Sequence, residues 1–229
     1  MERRLDTHDI VAIVIDGKSF KDDEIIVALG VTTEGKKVIL GFIQAATENA
    51  SVCKDFLNGL LERGLNVEEG LLCVMDGSKG IRKAVEDVFG SSALNQRCQW
   101  HKRENVVGYL PKGRKATFRK LLQRAYEEPT YEGAEGALKR VAKELSLVNE
   151  SAVRSLEEGL EQTLTLHRLG LFEKLAKSLK TSNCIESIMA LIGLEDGQDR
   201  LLEDQQPEAE MVGHSTFGYR TQVKQNQGL

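Results

Sequence analysis

Ile10-Val11-Ala12-Ile13-Val14-Ile15-Asp16-Gly17 is a run of six apolar residues, four of them isoleucine or valine after the first, that stops at an acid followed by glycine. A continuous β-branched run of this length reads as a fully buried strand, and the acid at its end puts a carboxylate at the end of the sheet. The pattern recurs at Leu71-Leu72-Cys73-Val74-Met75-Asp76-Gly77. A third acid, Glu186, lies far downstream on a helical stretch. Two such strands side by side, with a glutamate brought from a helix, supply the oxygen ligands that hard divalent cations take. A pair of those cations about 4 Å apart can clamp the attacking and leaving oxygens of a phosphodiester. The three acids therefore point to metal-dependent phosphoryl transfer on a nucleic acid.

Outward from these runs, Glu24 to Leu29 and Lys37 to Phe42 read as two more strands, joined by a turn at Thr33-Glu34-Gly35-Lys36. With the first run they predict a three-stranded antiparallel meander. Glu48 to Arg63 carries an apolar stripe (Val52, Phe56, Leu57, Leu60, Leu61) and predicts a helix ended by Gly64. Leu71 to Met75 is the fourth strand, a helix follows to Phe89 and stops at Gly90, and Leu94 to Cys98 is a short fifth strand. The order β-β-β-α-β-α-β predicts an α/β fold with a mixed sheet, that of an RNase H-like core. From His101 the chain reads as helical almost to Gly193, with apolar positions at Phe118/Leu121/Leu122/Ala125, Ala137/Leu138/Val141/Leu145 and Leu171/Leu175/Leu179. The expected organisation is a linker remnant over 1–8, a sheet core over 9–100, a helical insertion over 101–180, a catalytic helix over 181–194 and a tail over 195–229. The tail carries seven acids between Glu195 and Glu210 against Arg200 alone, then turns rich in Gly, Gln, Thr and Ser, which predicts disorder.

A chain of 229 residues can bury one good core, and 41% apolar with 29% charged residues is ordinary for a globular protein. No run approaches the ~18 apolar residues of a membrane span, and the N-terminus lacks a signal-peptide stretch. Cys53, Cys73, Cys98 and Cys184 show no paired spacing, so a reduced, cytoplasmic protein is expected, with no membrane partner. The net charge of −4 argues against nucleic acid only until its distribution is read. Between Arg97 and Arg124 stand nine basic residues (Arg97, Lys102, Arg103, Lys112, Arg114, Lys115, Arg119, Lys120, Arg124) against the single acid Glu104. Such a run is either a solvated helix face or a phosphate-contacting surface. Its place directly after a strand and a Cys-x-x-His favours the second.

Four motifs then occur in order: Val14-Ile15-Asp16-Gly17-Lys18-Ser19-Phe20, Met75-Asp76-Gly77-Ser78-Lys79-Gly80, the stretch Gln96-Arg97-Cys98-Gln99-Trp100-His101-Lys102-Arg103-Glu104-Asn105-Val106, and Thr181-Ser182-Asn183-Cys184-Ile185-Glu186-Ser187. Together, over about Asp9 to Leu194, they resemble the catalytic domain of Mutator-type bacterial insertion-sequence transposases, which carry a DDE triad. The resemblance implies a DNA transposase catalytic domain that performs metal-dependent cleavage and strand transfer at insertion-sequence ends. It implies Asp16, Asp76 and Glu186 as the carboxylates that bind Mg²⁺ (or Mn²⁺) and carry catalysis. The DNA of element ends and target is the implied partner, with a homo-oligomer or an intact transposase as the protein partner. Arg97, His101, Lys102, Arg103, Lys112, Arg114 and Lys115 are the expected DNA contacts.

Each site residue also has a plainer reading. Asp16 and Asp76 could begin turns or cap helices, and Glu186 could complete a capping box with the preceding Thr-Ser-Asn. Cys98 and His101 form the family's Cys-x-x-His signature, a structural or substrate-contacting pair. Two ligands do not close a zinc site, so zinc is not expected. His101 either hydrogen-bonds a phosphate or packs against Trp100 at a helix start; Trp100, the only tryptophan, is expected in the core rather than stacked on a base. His167 and Arg168 read as ordinary helix-end groups.

Two departures from the family pattern frame these expectations. The chain begins a few residues before the first catalytic strand, without the family's N-terminal helical DNA-binding region, and it turns acidic at Glu195 where the family continues as a basic helix. A one-nucleotide shift over Met211 to Gly228, with permitted codons, gives a basic amphipathic stretch. The expectation is a truncated or degenerate copy with a frameshifted tail, and the alternative is a catalytically silent DNA- or transposase-binding fragment.

Overall fold

The computed structural model describes residues 3–20, 23–45, 49–179 and Ile185, the side chains at 19, 20, 23, 177 and 178 excepted. Glu186, the tail from 195 and the apolar positions Ile188, Leu191 and Ile192 lie outside the described residues. The chain is α/β, with a mixed five-stranded sheet of hydrogen-bonded order β3-β2-β1-β4-β5. It divides into two compact units: residues up to Cys73 together with Ser78–Leu94 and the chain from Ser182 form the first, and Val74–Gly77 with Asn95–Thr181 the second.

In the first unit, β1 (Ile10–Phe20), β2 (Asp23–Thr32) and β3 (Lys37–Ala45) form the antiparallel meander. Val11 to Ile15 are all buried, so β1 is covered on both faces, as an uninterrupted apolar run requires. The β2–β3 turn closes on Gly35 (φ 81°), whose amide donates to the Thr32 carbonyl at 2.9 Å, while the Thr32 hydroxyl accepts from the Lys36 amide at 3.1 Å. All three strands run past their expected ends. In β1, main-chain pairing with β2 carries the strand through Gly17, Lys18 and Ser19, where side-chain hydrophobicity gives no signal.

Helix α1 (Ala50–Glu62) starts where the Asn49 side chain accepts from the Val52 amide at 3.0 Å. It ends as a Schellman motif: Gly64 takes φ 97°, its amide reaches the Leu61 carbonyl at 2.8 Å, and the Leu65 amide reaches Leu60 at 3.0 Å. The expected limits, Glu48 and Arg63, are thus trimmed at both ends by the caps. Cys53, Leu57 and Leu60 form its buried stripe, and α1 packs on α2 (Lys79–Phe89), which buries Ile81, Ala84, Val85 and Phe89. Ser78 caps α2 by accepting from the Ile81 amide at 3.3 Å, and Gly90 (φ 55°) stops it as read from the sequence. Strand β4 (Leu71–Met75) is buried at all five positions.

The second unit is mostly helical. Strand β5 (Ala93–Arg97) begins one residue earlier than expected and leads into it; the Cys98 amide donates to the Met75 carbonyl at 2.7 Å. Then come α3 (Gln99–Gly108), α4 (Lys112–Tyr126), α5 (Tyr131–Ser146), α6 (Glu150–Glu157), the single turns α7 (Leu160–Thr163) and α8 (Thr165–Arg168), and α9 (Phe172–Leu179). They have a core of their own: Val106, Val107 and Leu110 of α3 and its exit meet Phe118, Leu122 and Tyr126 of α4, Leu138, Val141 and Leu145 of α5, and Leu156 of α6. The Phe118/Leu122/Ala125 and Ala137/Leu138/Val141/Leu145 stripes read from the sequence supply much of this core, with Leu121 only half-buried against it. Two glutamines tie β5 and α3 to α7 and α8. Gln96 donates to the Thr163 carbonyl (3.0 Å) and accepts from the Leu166 amide (2.9 Å), and Gln99 donates to the same Thr163 carbonyl (2.9 Å). Both glutamines are buried, and each satisfies backbone groups that the short turns leave open.

Candidate functional site

Asp16 does not end β1. The strand continues four residues beyond it, and Asp16 pairs across to Val27 with Gly17, Lys18, Ser19 and Phe20 opposite Ile26, Ile25, Glu24 and Asp23. The sequence expectation of a strand stopping at this acid is therefore corrected: its carboxylate stands on a paired strand rather than on a turn. Its side chain is half-buried. A carboxylate on a strand whose pairing with β2 continues before and after that position is held by backbone that cannot readily move.

Asp76 does follow β4 directly, half-buried, and precedes Gly77 at φ 102°. It is not the helix cap, since Ser78 fills that role. Asp16 belongs to the first unit and Asp76 to the second, while Glu186 lies outside the described residues. Among the described residues no group of three His, Cys, Asp or Glu gathers that could hold a metal ion.

The second unit does assemble a charged cluster that the sequence did not announce. Arg97, at the end of β5, has only 12% of its side chain exposed; Nη1 donates to the Glu158 carbonyl at 3.1 Å and lies 3.4 Å from that residue's carboxylate. Lys102 of α3 has none of its side chain exposed, and its ammonium donates to the same carbonyl and lies 3.6 Å from the carboxylate. Burial, then the nearby Arg97 charge, lowers the Lys102 pKa to about 8 against the opposing pull of Glu158. Burial pushes the Glu158 carboxyl up, but Arg97 and Lys102 together hold it below its ordinary range.

Two of the expected DNA contacts are thereby relocated. Arg97 and Lys102 do not belong to the exposed basic strip, because a carboxylate 56 residues beyond Lys102 draws them inward. A count of charges along the chain cannot see that partner. The exposed bases are Lys112, Arg114, Lys120 and Arg124, all on α4, with Lys115 and Arg119 half-buried beside them. Arg103 and Arg119 share Glu104, at 3.0 and 2.8 Å, so the one acid in the run is held between two of its bases.

Cys98 is fully buried just ahead of α3, and the half-buried His101 ring meets Trp100 edge-on with centroids 4.8 Å apart. That is the packing alternative for His101. Trp100 itself is 38% exposed, not a core residue as expected. The first turn of α3 buries Cys98, Gln99 and Lys102 instead, so position 100 points outward by helical geometry. His167 stands in the last turn of α8 as expected, but it is not an ordinary solvated end group. It is buried, stacked on Phe172 at 3.7 Å, with Nε2 3.0 Å from the Glu128 carbonyl.

Comparison with known proteins settles the kinship. The model of the transposase family described as Mutator matches residues 7–196. The chain belongs to the Mutator family of transposases. Relatives include the transposase for insertion sequence element IS6120 of Mycolicibacterium smegmatis, 28% identical over 84% of this chain and 60% of the relative. The transposase for insertion sequence element IST2 of Acidithiobacillus ferrooxidans is 27% identical over 73% of the chain and 55% of its own length. The transposase for insertion sequence element IS256 in transposon Tn4001 of Staphylococcus aureus is 25% identical over 82% and 47%. This Mutator-family chain thus spans less than two thirds of the length of each of these relatives. No described helix is long and apolar enough to cross a membrane.

Proposed function

We propose that the chain is the catalytic core of a DNA transposase, an RNase H-like fold in which Asp16, Asp76 and Glu186 form a DDE triad. The reaction it would support is metal-dependent cleavage at insertion-sequence ends followed by strand transfer. The observation that carries this reading is the family match over 7–196, which spans all three acids and the sheet that bears two of them. The strand order, an antiparallel meander followed by β4 and β5 reached through α1 and α2, supports the RNase H-like assignment.

The donor chemistry fits a hard cation. Asp16 and Asp76 are half-buried carboxylates, and among the described residues no thiolate–imidazole cluster competes for a softer metal. Mg²⁺ or Mn²⁺ bound there supplies Lewis acidity toward the phosphodiester and a lowered pKa for the attacking hydroxyl. The protein's part is positional. The paired backbone of β1 holds the Asp16 carboxylate, the turn after β4 aims Asp76, and the exposed bases of α4 neutralise the phosphates of bound DNA.

The test is strand transfer from pre-cleaved element-end DNA with Mg²⁺ or Mn²⁺, comparing the wild-type chain with Asp76→Asn. The expected result is product that needs metal and is lost in the variant. Product indifferent to both would overturn the reading. DNA binding without product, unchanged by metal or by Asp76→Asn, would show a silent DNA-binding fragment instead.

A further inference from the structure

Gly77 and Gly159 are separated by 82 positions, yet both face one guanidinium within the second unit. A β-carbon on Gly77 would strike Arg97, falling against Nε and within 2.6 Å of Cζ and 2.7 Å of Nη2. A β-carbon on Gly159 would lie 2.8 Å from Nη1. Both glycines hold positive φ, 102° and 69°, a conformation that side chains other than glycine's adopt only under strain. The Arg97 guanidinium therefore fills a slot whose two walls have been stripped to backbone.

The slot is anchored at one end. Nη1 is fixed to the Glu158 carbonyl, Glu158 is fixed again by Lys102, and Gly159 follows at once. The other end lies against the turn Asp76-Gly77, directly after β4. Nε is buried there with no hydrogen-bond partner among the described residues, so what holds it against the turn is shape and not a bond to Gly77. An arginine is suited to such a post: it is planar, always charged, and its fork loses less freedom per hydrogen bond than a lysine's.

We propose that Arg97 is a positioning residue for the proposed metal site: clamped by the Glu158-Gly159 turn, it sets the backbone at Gly77 and so the direction in which the Asp76 carboxylate is presented. This rests on the reading of Asp76 as a metal-binding carboxylate. Arg97 touches neither metal nor DNA in this role, and the turn between α6 and α7 becomes part of the machinery without containing a single ligand. A carboxylate ligand displaced by a fraction of an ångström loses metal affinity, because the ion's geometry is set by its ligands' directions.

The experiment reads Mn²⁺ affinity by electron paramagnetic resonance titration on the whole chain, with folding checked by circular dichroism. Arg97→Met keeps the stem and leaves the Glu158 carbonyl with its Lys102 donor, which protects the fold; Gly159→Ala puts a β-carbon 2.8 Å from Nη1. Each is expected to weaken Mn²⁺ binding about tenfold. The double variant is expected to be no weaker than Arg97→Met alone, since the guanidinium through which Gly159→Ala would act on the Asp76-Gly77 turn is gone. Affinities that multiply across the cycle, or stay at wild-type level in either single variant, overturn the proposal. Asp76→Asn run in parallel separates the two levels: if it leaves Mn²⁺ binding intact, the metal reading itself fails. If Asp76→Asn abolishes binding while Arg97→Met does not weaken it, only the positioning role fails. Should Arg97→Met not fold, Arg97→Lys replaces it in the same cycle, with the same expected non-additivity.

Discussion

The ammonium of Lys102, on a side chain with no exposure, donates to the backbone carbonyl of Glu158 and stands 3.6 Å from the carboxylate of Glu158, whose side chain is 62% exposed. One partner has given up water completely and the other has kept most of it. The lysine therefore carries the cost of the pair, and its pKa falls from 10.5 to about 8, first through burial and then through Arg97.

That shift fixes the sign of a pH effect. Between about pH 8 and 10.5 the unfolded chain holds a proton on Lys102 that the folded chain has released. Stability from this group thus rises with pH across the window, by up to about 1.4 kcal/mol per pH unit for one proton. Below pH 8 its penalty is present in full. Lys102→Met removes the titration, while Arg97 still donates to the Glu158 carbonyl. Urea unfolding at several pH values should show the variant's stability relative to wild type falling as pH rises from 8 to 10.5. The buried Tyr126 hydroxyl, pushed up by burial, and the buried Cys73 thiol, likewise raised, affect both proteins equally and cancel in the difference. A difference that is flat across the window would mean that Lys102 stays charged in the fold.

Asn149 closes the chain between α5 and α6 with three bonds from one side chain. Its Oδ1 accepts from the Ser151 and Ala152 amides at 2.7 and 3.3 Å, and Nδ2 donates to the Tyr109 carbonyl at 3.0 Å. Asn149→Ala loses cap and tie together and should cost about 1–2 kcal/mol. Asn149→Asp keeps the cap and loses the tie, so it should cost clearly less. Thermal unfolding followed by circular dichroism ranks the three proteins. Equal midpoints for the alanine and aspartate variants would assign the whole effect to the Tyr109 link.

The contrast between β4 and Lys102 shows which parts of the structure can be read from sequence. Strand β4 falls on its expected limits, Leu71 to Met75, because a five-residue apolar run bounded by Gly70 and Asp76-Gly77 has one reading. The meander is legible for the same reason, as is the helical core from its three- and four-residue spacing. Asp16 was placed at a strand end because hydrophobicity stops there, whereas hydrogen bonding does not: Gly17 to Phe20 pair with β2 regardless of their polarity. Arg97 and Lys102 escape the sequence on the same principle. Their surroundings are set by contacts at long sequence separation, above all by Glu158, and a lone glutamate before a glycine carries no signal of its own. The glycine was the available clue. Gly77 and Gly159 each follow an acid, and each proves to be needed at a positive φ.

The relocation of Arg97 and Lys102 sharpens what DNA binding by this chain should look like. If phosphates meet the exposed bases of α4, affinity will fall with salt, and each lysine or arginine that contacts a phosphate will contribute about 0.9 to the slope of log K against log salt concentration. Lys112→Ala, Arg114→Ala, Lys120→Ala and Arg124→Ala change exposed charges, so they should lower affinity for any DNA sequence and flatten that slope, with little effect on stability. Lys102→Met removes one positive charge from the same stretch of sequence but from inside the fold, and should leave the slope unchanged. Fluorescence anisotropy on a labelled duplex at several salt concentrations measures both quantities. The decisive comparison is between Lys102 and Lys112, ten residues apart and formally identical in charge. A slope that drops equally for both would mean that net charge alone governs binding and that the α4 surface has no special part in it. A drop confined to the α4 variants would mean that DNA meets a defined face, whose members are the basic side chains that the fold does not draw inward to Glu158.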